Sequence, residues 1–230
     1  MKTVVYIDGY NLYYGAIKQS RLEISEGRQA CKWLDVVSLS EMIVNRNSQV
    51  DAKGFSVKYF SAPVKAKYSE HGQDSFSAQH AYHRALKSLY PTKFELILGK
   101  HQEREVSRYA LSEPFDLSKK VDVLEIEEKQ TDVNIALQML RDAYSGTVNQ
   151  QVLITSDSDL EPAMKMIKED FPDMILGLVL PVRNVRQERA ASLIDLSDWR
   201  ENHLRVPELE QHQLPDLIEI GRHIRKPERW

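Results

Sequence analysis

Short, uninterrupted apolar segments alternate with amphipathic ones along this chain, and this alternation constrains its fold most strongly. Residues 4–7, 151–155 and 174–180 are typical of buried strands, whereas apolar side chains recur at helical spacing over residues 76–89. Strands without polar alternation are buried on both faces, which is the environment of a parallel sheet covered by helices. We therefore expect an α/β fold with a mostly parallel central sheet and helices on both faces.

The remaining segments extend this alternation. Further strands are predicted over 55–62 and 93–100, and further helices begin at Ser38, Thr131, Leu160 and Arg186. Ser38 and Glu41 have the spacing of a capping box, which favours a helix start at Ser38. Residues 101–120 are polar and aperiodic and predict an irregular segment. Residues 121–126 fit either a strand or the returning half of a hairpin.

The domain organisation follows from the absence of repeats and of a flexible linker. Of the 230 residues, 42% are hydrophobic and 28% are charged, which is sufficient for a packed core. We expect one domain over residues 1–205 and an appendage over 206–230, which contains three prolines and ends in a basic stretch from Arg222 to Arg229. This stretch has the composition of a solvated end, and contact with RNA is the alternative.

Charge and cysteine content exclude several classes of protein. The 31 basic residues against 34 acidic ones give a net charge of -3, which argues against a protein that coats nucleic acid through bulk charge. A local binding groove is compatible with this balance. The single cysteine, Cys31, excludes an intramolecular disulfide and a cysteine-built zinc site. A charged residue ends the first apolar run too early for a signal peptide, so we expect a cytoplasmic protein without contact with membranes.

Acidic residues follow two of the predicted strands and begin one predicted helix. Asp8 follows the first strand, Asp157 and Asp159 follow the strand that ends at Thr155, and Asp132 lies in the first turn of a helix. Parallel strands gather their carboxyl ends at one edge of the sheet, where ligands bind. Carboxylates that meet there repel one another unless a cation compensates them. Carboxylates without His or Cys partners favour Mg²⁺ or Mn²⁺ over Zn²⁺.

Each acidic residue also has an ordinary structural interpretation. Asp8 with Gly9 is typical of a turn, and Asp157 or Asp159 is typical of a helix N-cap. Asp132 is stabilised by the dipole at the start of a helix whether or not a metal binds. The residues alone leave the metal site and the structural roles as open alternatives.

Three segments resemble the NYN domain family in its LabA-like branch, whose members are PIN-like proteins related to metal-dependent ribonucleases. The segments are Tyr6-Ile7-Asp8-Gly9-Tyr10-Asn11-Leu12, Glu128-Lys129-Gln130-Thr131-Asp132-Val133 and Thr155-Ser156-Asp157-Ser158-Asp159-Leu160-Glu161-Pro162. The resemblance covers residues 1 to about 200. Two features differ from the family pattern: Gln130 and Ser156 stand where many relatives have Gly, and the segment 101–127 is long.

This resemblance implies metal-dependent endoribonuclease activity with one or two Mg²⁺ or Mn²⁺ ions. It implies RNA as partner, single-stranded nucleic acid more generally, and pairing of two copies of the chain as a homodimer. The metal ligands would be Asp8, Asp132, Asp157 and Asp159, with Asn11 orienting a carboxylate or the substrate phosphate as a further catalytic residue. Lys129, Ser156, Ser158 and Tyr10 would bind the substrate, Lys129 by neutralising phosphate and Tyr10 by stacking on bases.

Two other functions remain open at this point. One is a non-catalytic regulator that binds RNA or protein on the same fold. The other is a pyridine-type hydroxylase, because some relatives are assigned to that reaction and no basic stripe is evident over residues 100–120. No flavin, nicotinamide, P-loop or serine-hydrolase motif is found, and a second Asp of the haloacid-dehalogenase type is replaced by Tyr10. We therefore place the hydroxylase below the nuclease.

Overall fold

The computed structural model describes residues 2–18, 31–47, 54–111, 114, 116–182, 190–220 and 223–228. Six parallel strands form one sheet in the order β3-β2-β1-β6-β7-β8. The strands are β1 (Lys2–Asp8), β2 (Gly54–Ser61), β3 (Phe94–Leu98), β4 (Lys100–Tyr109), β5 (Lys120–Lys129), β6 (Gln150–Ile154), β7 (Ile175–Val179), β8 (Trp199–Glu201), β9 (Leu217–Ile218) and β10 (Ile224–Arg225).

Helices cover both faces of this sheet, which confirms the predicted α/β architecture. They are α1 (Gly9–Leu12), α2 (Val36–Asn47), α3 (Gln73–Leu89), α4 (Thr131–Tyr144), α5 (Glu161–Asp170), α6 (Ala191–Leu196) and α7 (Val206–Gln211). Shorter turns of π and 3₁₀ type occupy Tyr13–Ile17, Ala66–Tyr68 and Ser158–Leu160. Within the described residues, no helix combines the length and the apolar character needed to cross a membrane.

Alternation along β1 explains how one sheet supports two hydrophobic cores. Val5 and Ile7 pack into the core formed with α2 and α3, whereas Val4 and Tyr6 pack into the core formed with α4, α5 and α6. All four side chains are at most 1% exposed, so β1 is buried on both faces. This burial is why the strand is a continuous apolar run in the sequence.

The order of strands reverses between β1 and β6, and this reversal positions the site. From β1 the chain crosses outward to β2 and β3, while β6, β7 and β8 lie on the other side. The carboxyl ends of parallel strands open a crevice at such a switch point, because the connections leave in opposite directions. Asp8 ends β1, and Thr155 follows β6 directly.

A long hairpin replaces the irregular segment predicted over residues 101–120. β4 pairs antiparallel with β5, in register from Lys100 opposite Lys129 to Tyr109 opposite Lys120. The prediction was wrong over 101–109 because this strand is exposed on both faces and has no apolar period to reveal it. The hairpin interpretation of 121–126 was the better alternative.

The hairpin also separates charges that are interleaved in the sequence. Side chains alternate along a strand, so Lys100, Arg104 and Arg108 lie on one face of β4 and Glu103 lies on the other. On the first face Arg108 is already paired with Glu125 of β5, at 2.7 Å between Nη2 and Oε1. The ion pairs Arg108–Glu125 and Lys129–Glu127 thus neutralise part of the positive charge on this face of the hairpin.

Two other local predictions need correction or lie outside the described residues. Helix α2 begins at Val36, and the carboxylate of Asp35 accepts a hydrogen bond from the Ser38 backbone N–H at 2.9 Å. Ser38 is thus inside the helix, and the predicted capping box was wrong. The helix predicted from Arg186 to Ile194 is observed as Ala191–Leu196, while 183–189 lie outside the described residues.

The segment predicted as an appendage contributes to the core next to α2 and α3. Leu209, Leu214, Ile218 and Ile224 are buried there with exposures of 0%, 3%, 2% and 4%. Arg222 and Arg229 of the basic end lie outside the described residues. The boundary at residue 205 stays a prediction.

Candidate acidic site at the switch point of the sheet

Asp8 is the buried anchor of the site. Its side chain is 3% exposed and caps α1: Oδ1 accepts from the backbone N–H groups of Tyr10 at 3.1 Å and Asn11 at 3.0 Å. Its Oδ2 accepts from Asn11 Nδ2 at 3.0 Å and from Thr155 Oγ1 at 3.1 Å. Burial raises the pKa of Asp8, while the hydrogen bonds from Asn11 and Thr155 oppose this shift and the charge of Asp157 adds to it.

Asn11 joins the ends of β1 and β6. Its amide nitrogen donates to Asp8, and its Oδ1 accepts from the Ser156 hydroxyl at 2.7 Å and from the Ser156 backbone N–H at 3.2 Å. An amide can donate and accept at once, which a carboxylate at this position cannot do. Asn11 and Ser156, both predicted site residues, therefore lie together at the switch point.

The turn after β6 orients the second pair of acids. Thr155 Oγ1 accepts from the Asp157 backbone N–H at 3.1 Å, and Asp157 Oδ1 accepts from the Asp159 N–H at 3.0 Å. Asp157 is thus the N-cap of the short helix Ser158–Leu160. Asp157 is half-buried, whereas Ser158 and Asp159 are exposed. As an N-cap, Asp157 uses only its Oδ1. Within the described residues, its Oδ2 forms no hydrogen bond.

Asp132 lies close enough to the other acids for their charges to act on it. Burial raises its pKa to about 6, and the charges of Asp8, Asp157 and Asp159 act in the same direction. α4, which begins at Thr131, therefore directs its first turn toward the carboxyl ends of β1 and β6. The four carboxylates that the sequence predicts as metal ligands therefore lie within electrostatic range of one another.

A fifth carboxylate, Glu128, belongs to this group and was not among the predicted site residues. Burial raises its pKa to about 7, and the charges of Asp132 and Asp8 add to the shift. Its Oε1 accepts a hydrogen bond from the Thr131 hydroxyl. Glu128 lies one residue before the end of β5, and only the antiparallel return of β5 toward the sheet brings it here. Its position four residues before Asp132 was the one signal that the sequence offered.

The chemistry of this donor set fits a hard divalent cation. Five carboxylates that repel one another favour an ion that neutralises them, and oxygen ligands suit Mg²⁺ or Mn²⁺. Across the described ranges, no group of three acidic, His or Cys side chains already stands at metal-binding spacing. Side-chain movement would therefore accompany binding of an ion.

Asp8 is the least available of these donors. Its two oxygens accept four hydrogen bonds, which uses the lone pairs that a carboxylate offers. Two of the donors are backbone groups fixed by α1, whereas the Thr155 hydroxyl can rotate. We infer that an ion would reach Asp8 at the expense of the Thr155 bond.

The two other predicted substrate-binding residues differ in their surroundings. Tyr10 lies beside the acids, and its hydroxyl is 3.0 Å from His101 Nε2 and 3.2 Å from the Ala62 carbonyl oxygen. Lys129 forms an ion pair with Glu127. Alternation along β5 places Lys129 on the face opposite Glu128.

Gln130 and Gly9 show the backbone constraints around the site. Gln130 has a φ of 80°, in the left-handed region, directly before α4. Glycine adopts this conformation without strain, which gives a physical reason for the Gly of many relatives at this position. At Gly9 an added Cβ would lie 2.5 Å from the Phe60 carbonyl oxygen, so this close approach of α1 to β2 requires glycine.

A cleft of about 1040 Å³ adjoins the acids, and Gly9, Tyr10 and Glu128 line it. Aromatic side chains form much of its wall, among them Tyr13, Tyr14, Tyr59, Tyr68, Tyr82, His71, His83 and His101. They come from the turn after α1, from β2, from residues 68–71, from α3 and from β4, and none of them was predicted as a site residue. A cleft assembled from so many segments has no contiguous motif.

Similarity to known proteins identifies the family of this chain. The chain is similar to the 6-hydroxy-3-succinoylpyridine 3-monooxygenase of Pseudomonas putida, with 32% identity over 247 aligned residues that cover 100% of this chain and 75% of that enzyme. A crystal structure of a Vibrio parahaemolyticus protein of unknown function aligns with 89% of this chain and 93% of its own, at 16% identity and a TM-score of 0.46. The NYN domain model matches residues 2–195. The chain therefore belongs to the NYN domain family.

Proposed function

We propose that this protein is a metal-dependent endoribonuclease that hydrolyses phosphodiester bonds in RNA. The observation that carries the proposal is the convergence of five carboxylates at the switch point, where burial and mutual repulsion raise the pKa of Asp132 to about 6 and of Glu128 to about 7. Repulsion of this kind is costly unless it serves a cation. Membership in the NYN family supports the same chemistry.

Some residues of the site would bind an ion, and others hold the ends of β1 and β6 in position. Asp132, Asp157, Asp159 and Glu128 would hold one or two Mg²⁺ or Mn²⁺ ions, with Asp8 as the buried anchor. When bound, such an ion activates water and neutralises charge that develops on the phosphate and the leaving oxygen. Asn11 holds the ends of β1 and β6 together through Asp8 and Ser156. Ser158 is exposed at the same edge, where its hydroxyl is accessible to a phosphate.

The test is cleavage of single-stranded RNA, single-stranded DNA and duplex DNA with Mn²⁺ present. We expect cleavage of RNA that stops with EDTA and in Asp157→Asn and Asp8→Asn. Asp173→Asn is the matched control, because Asp173 is exposed in the turn before β7, at the opposite edge of the sheet. RNA cleavage that persists in Asp157→Asn would contradict the proposal.

Hydroxylation of a pyridine-type compound is the second candidate. The similarity to a succinoylpyridine monooxygenase extends over the whole chain, and the aromatic cleft is suited to a small ring. This reaction requires molecular oxygen and a reductant. Consumption of NADH with 6-hydroxy-3-succinoylpyridine, together with the absorbance spectrum of the purified protein, distinguishes it from hydrolysis.

A non-catalytic regulator is the third candidate, and absence of Mn²⁺ binding in a calorimetric titration would favour it. Cytoplasmic location and pairing into a homodimer stay predictions. Sedimentation of the purified chain at several concentrations tests the pairing.

A further inference from the structure

The cleft beside the acidic site contains a buried histidine whose polarity the fold does not use. His83 lies on α3, is 8% exposed and lines the cleft. Its ring packs against Tyr59 and Tyr82, with ring centroids 6.0 Å away in each case, and these two tyrosine rings also lie 6.3 Å apart. Among the described residues, neither ring nitrogen of His83 has a hydrogen-bond partner. The two nitrogens are not fully buried, since neither belongs to the buried polar atoms that lack a partner, so a ligand in the cleft can reach them and supply a hydrogen bond.

A second histidine of the same cleft, His101, forms hydrogen bonds within the fold through both ring nitrogens. His101 Nε2 is 3.0 Å from the Tyr10 hydroxyl, and His101 Nδ1 is 2.9 Å from the Pro63 carbonyl oxygen. Both nitrogens of His101 are therefore used within the fold. His83 differs from it although both line the same wall of aromatic side chains.

Burial also determines the charge of His83. Desolvation lowers its pKa to about 4, and the positive charges of Lys87 and His80 act in the same direction. The imidazole is therefore neutral at pH 7, with one nitrogen as donor and the other as acceptor. A neutral imidazole that packs beside two tyrosine rings is complementary to an uncharged ring with a polar edge.

We propose that this cleft binds a planar, uncharged nitrogen heteroaromatic ring, with His83 hydrogen-bonding to the edge of the ring and tyrosine side chains packing against it. The shared wall at Tyr10 and Glu128 places the bound ring next to the acids. The inference rests on the proposed function only in making this ring part of the substrate. The ring is either a base of single-stranded RNA or a free pyridine.

The test compares nicotinamide with benzamide, which have the same shape and charge and differ in the ring nitrogen. We titrate the full chain calorimetrically with EDTA present, so that the result does not depend on a metal or on hydrolysis. One additional hydrogen bond predicts about tenfold tighter binding of nicotinamide. His83→Phe abolishes this preference, and His83→Gln retains part of it because an amide can still donate and accept.

His80→Gln is the matched control. His80 lies on the same helix but is exposed, stacks on Phe76 and is absent from the wall of the cleft. This variant is expected to keep the tenfold preference. Should His83→Phe fold poorly, the ¹⁵N resonances of the His83 ring in the wild-type protein report the contact, since they shift with nicotinamide and stay in place with benzamide.

Cytidine as a third ligand separates the two sources of the ring. Tighter binding of cytidine than of nicotinamide assigns the cleft to a nucleobase, and the reverse order assigns it to a free pyridine. Equal binding of nicotinamide and benzamide, or a preference that survives in His83→Phe, overturns the inference. RNA cleavage is measured separately, so loss of hydrolysis with intact ring discrimination contradicts the proposed function alone.

Discussion

The acidic site and the aromatic cleft share a wall at Tyr10 and Glu128 but differ in the charge of their side chains. The acids meet as like charges, and the pKa of Asp132 is raised to about 6. The cleft holds neutral rings, and its buried His83 has a pKa lowered to about 4. The acids form a cluster of like charge, whereas the part of the cleft around His83 is made of uncharged aromatic rings. Under the proposed function, the acids would carry out the reaction and the cleft would recognise the ring of the ligand.

Removing one acid should separate function from stability most clearly. Asp132→Asn is expected to lower Mn²⁺-dependent RNA cleavage on the order of 1000-fold, since a bound metal contributes several kcal/mol to the transition state. The same change removes like-charge repulsion, so the free energy of unfolding without metal should stay equal or rise. Cleavage assays and urea denaturation measure the two effects. A loss of cleavage that merely follows a loss of stability would break the distinction between the regions.

Burial of His83 in the cleft should make the free energy of unfolding depend on pH. His83 takes up a proton near pH 6.5 when unfolded and near pH 4 when folded, so the unfolded state binds more protons between these values. Stability therefore falls as the pH decreases from about 6.5 to about 4. The contribution of His83 is roughly 3 kcal/mol.

The acids also titrate in this range, so the useful quantity is the difference between wild type and His83→Phe. Urea denaturation of both proteins at pH 7.5 and pH 4 provides it. We expect the fall in stability to be smaller in the variant. Identical pH profiles would show that His83 is not buried in its neutral form.

Thr155 tests the bond network that holds Asp8. Thr155→Val preserves shape but removes the donor to Asp8 Oδ2 and the acceptor for the Asp157 N–H. Leaving these groups unpaired should cost about 2 kcal/mol of stability. Thr155→Ser keeps the hydroxyl and serves as the control in thermal denaturation. Equal melting temperatures for the Val and Ser variants would contradict this role.

Substitution of Gln130 should give the smallest effect of these variants, because it changes only the backbone conformation that leads into α4. Gln130→Gly relieves a left-handed conformation and should raise the free energy of unfolding by about 1 kcal/mol. Gln130→Ala keeps a Cβ and should show no gain. Chemical denaturation of the two variants distinguishes relief of strain from loss of the side chain.

The two regions also differ in how far the sequence predicts them. The acids after β1 and β6 follow apolar strands, and the sequence predicts that the carboxyl ends of such parallel strands lie at one edge of the sheet. The structure adds that β1 and β6 are neighbours. Glu128 could not be deduced in this way, since its position depends on an exposed hairpin without apolar periodicity. His83 sits in an ordinary amphipathic helix, and only packing against Tyr59 distinguishes it from the exposed His80.

Binding of Mn²⁺ to the full chain tests the central claim, that the carboxylates at the switch point hold a divalent cation. Calorimetric titration of the wild type, Asp157→Asn and Asp173→Asn makes the comparison within one experiment. The account predicts that Mn²⁺ binds the wild type and Asp173→Asn equally and binds Asp157→Asn at least tenfold more weakly. Equal binding to all three proteins, or none to the wild type, would contradict it.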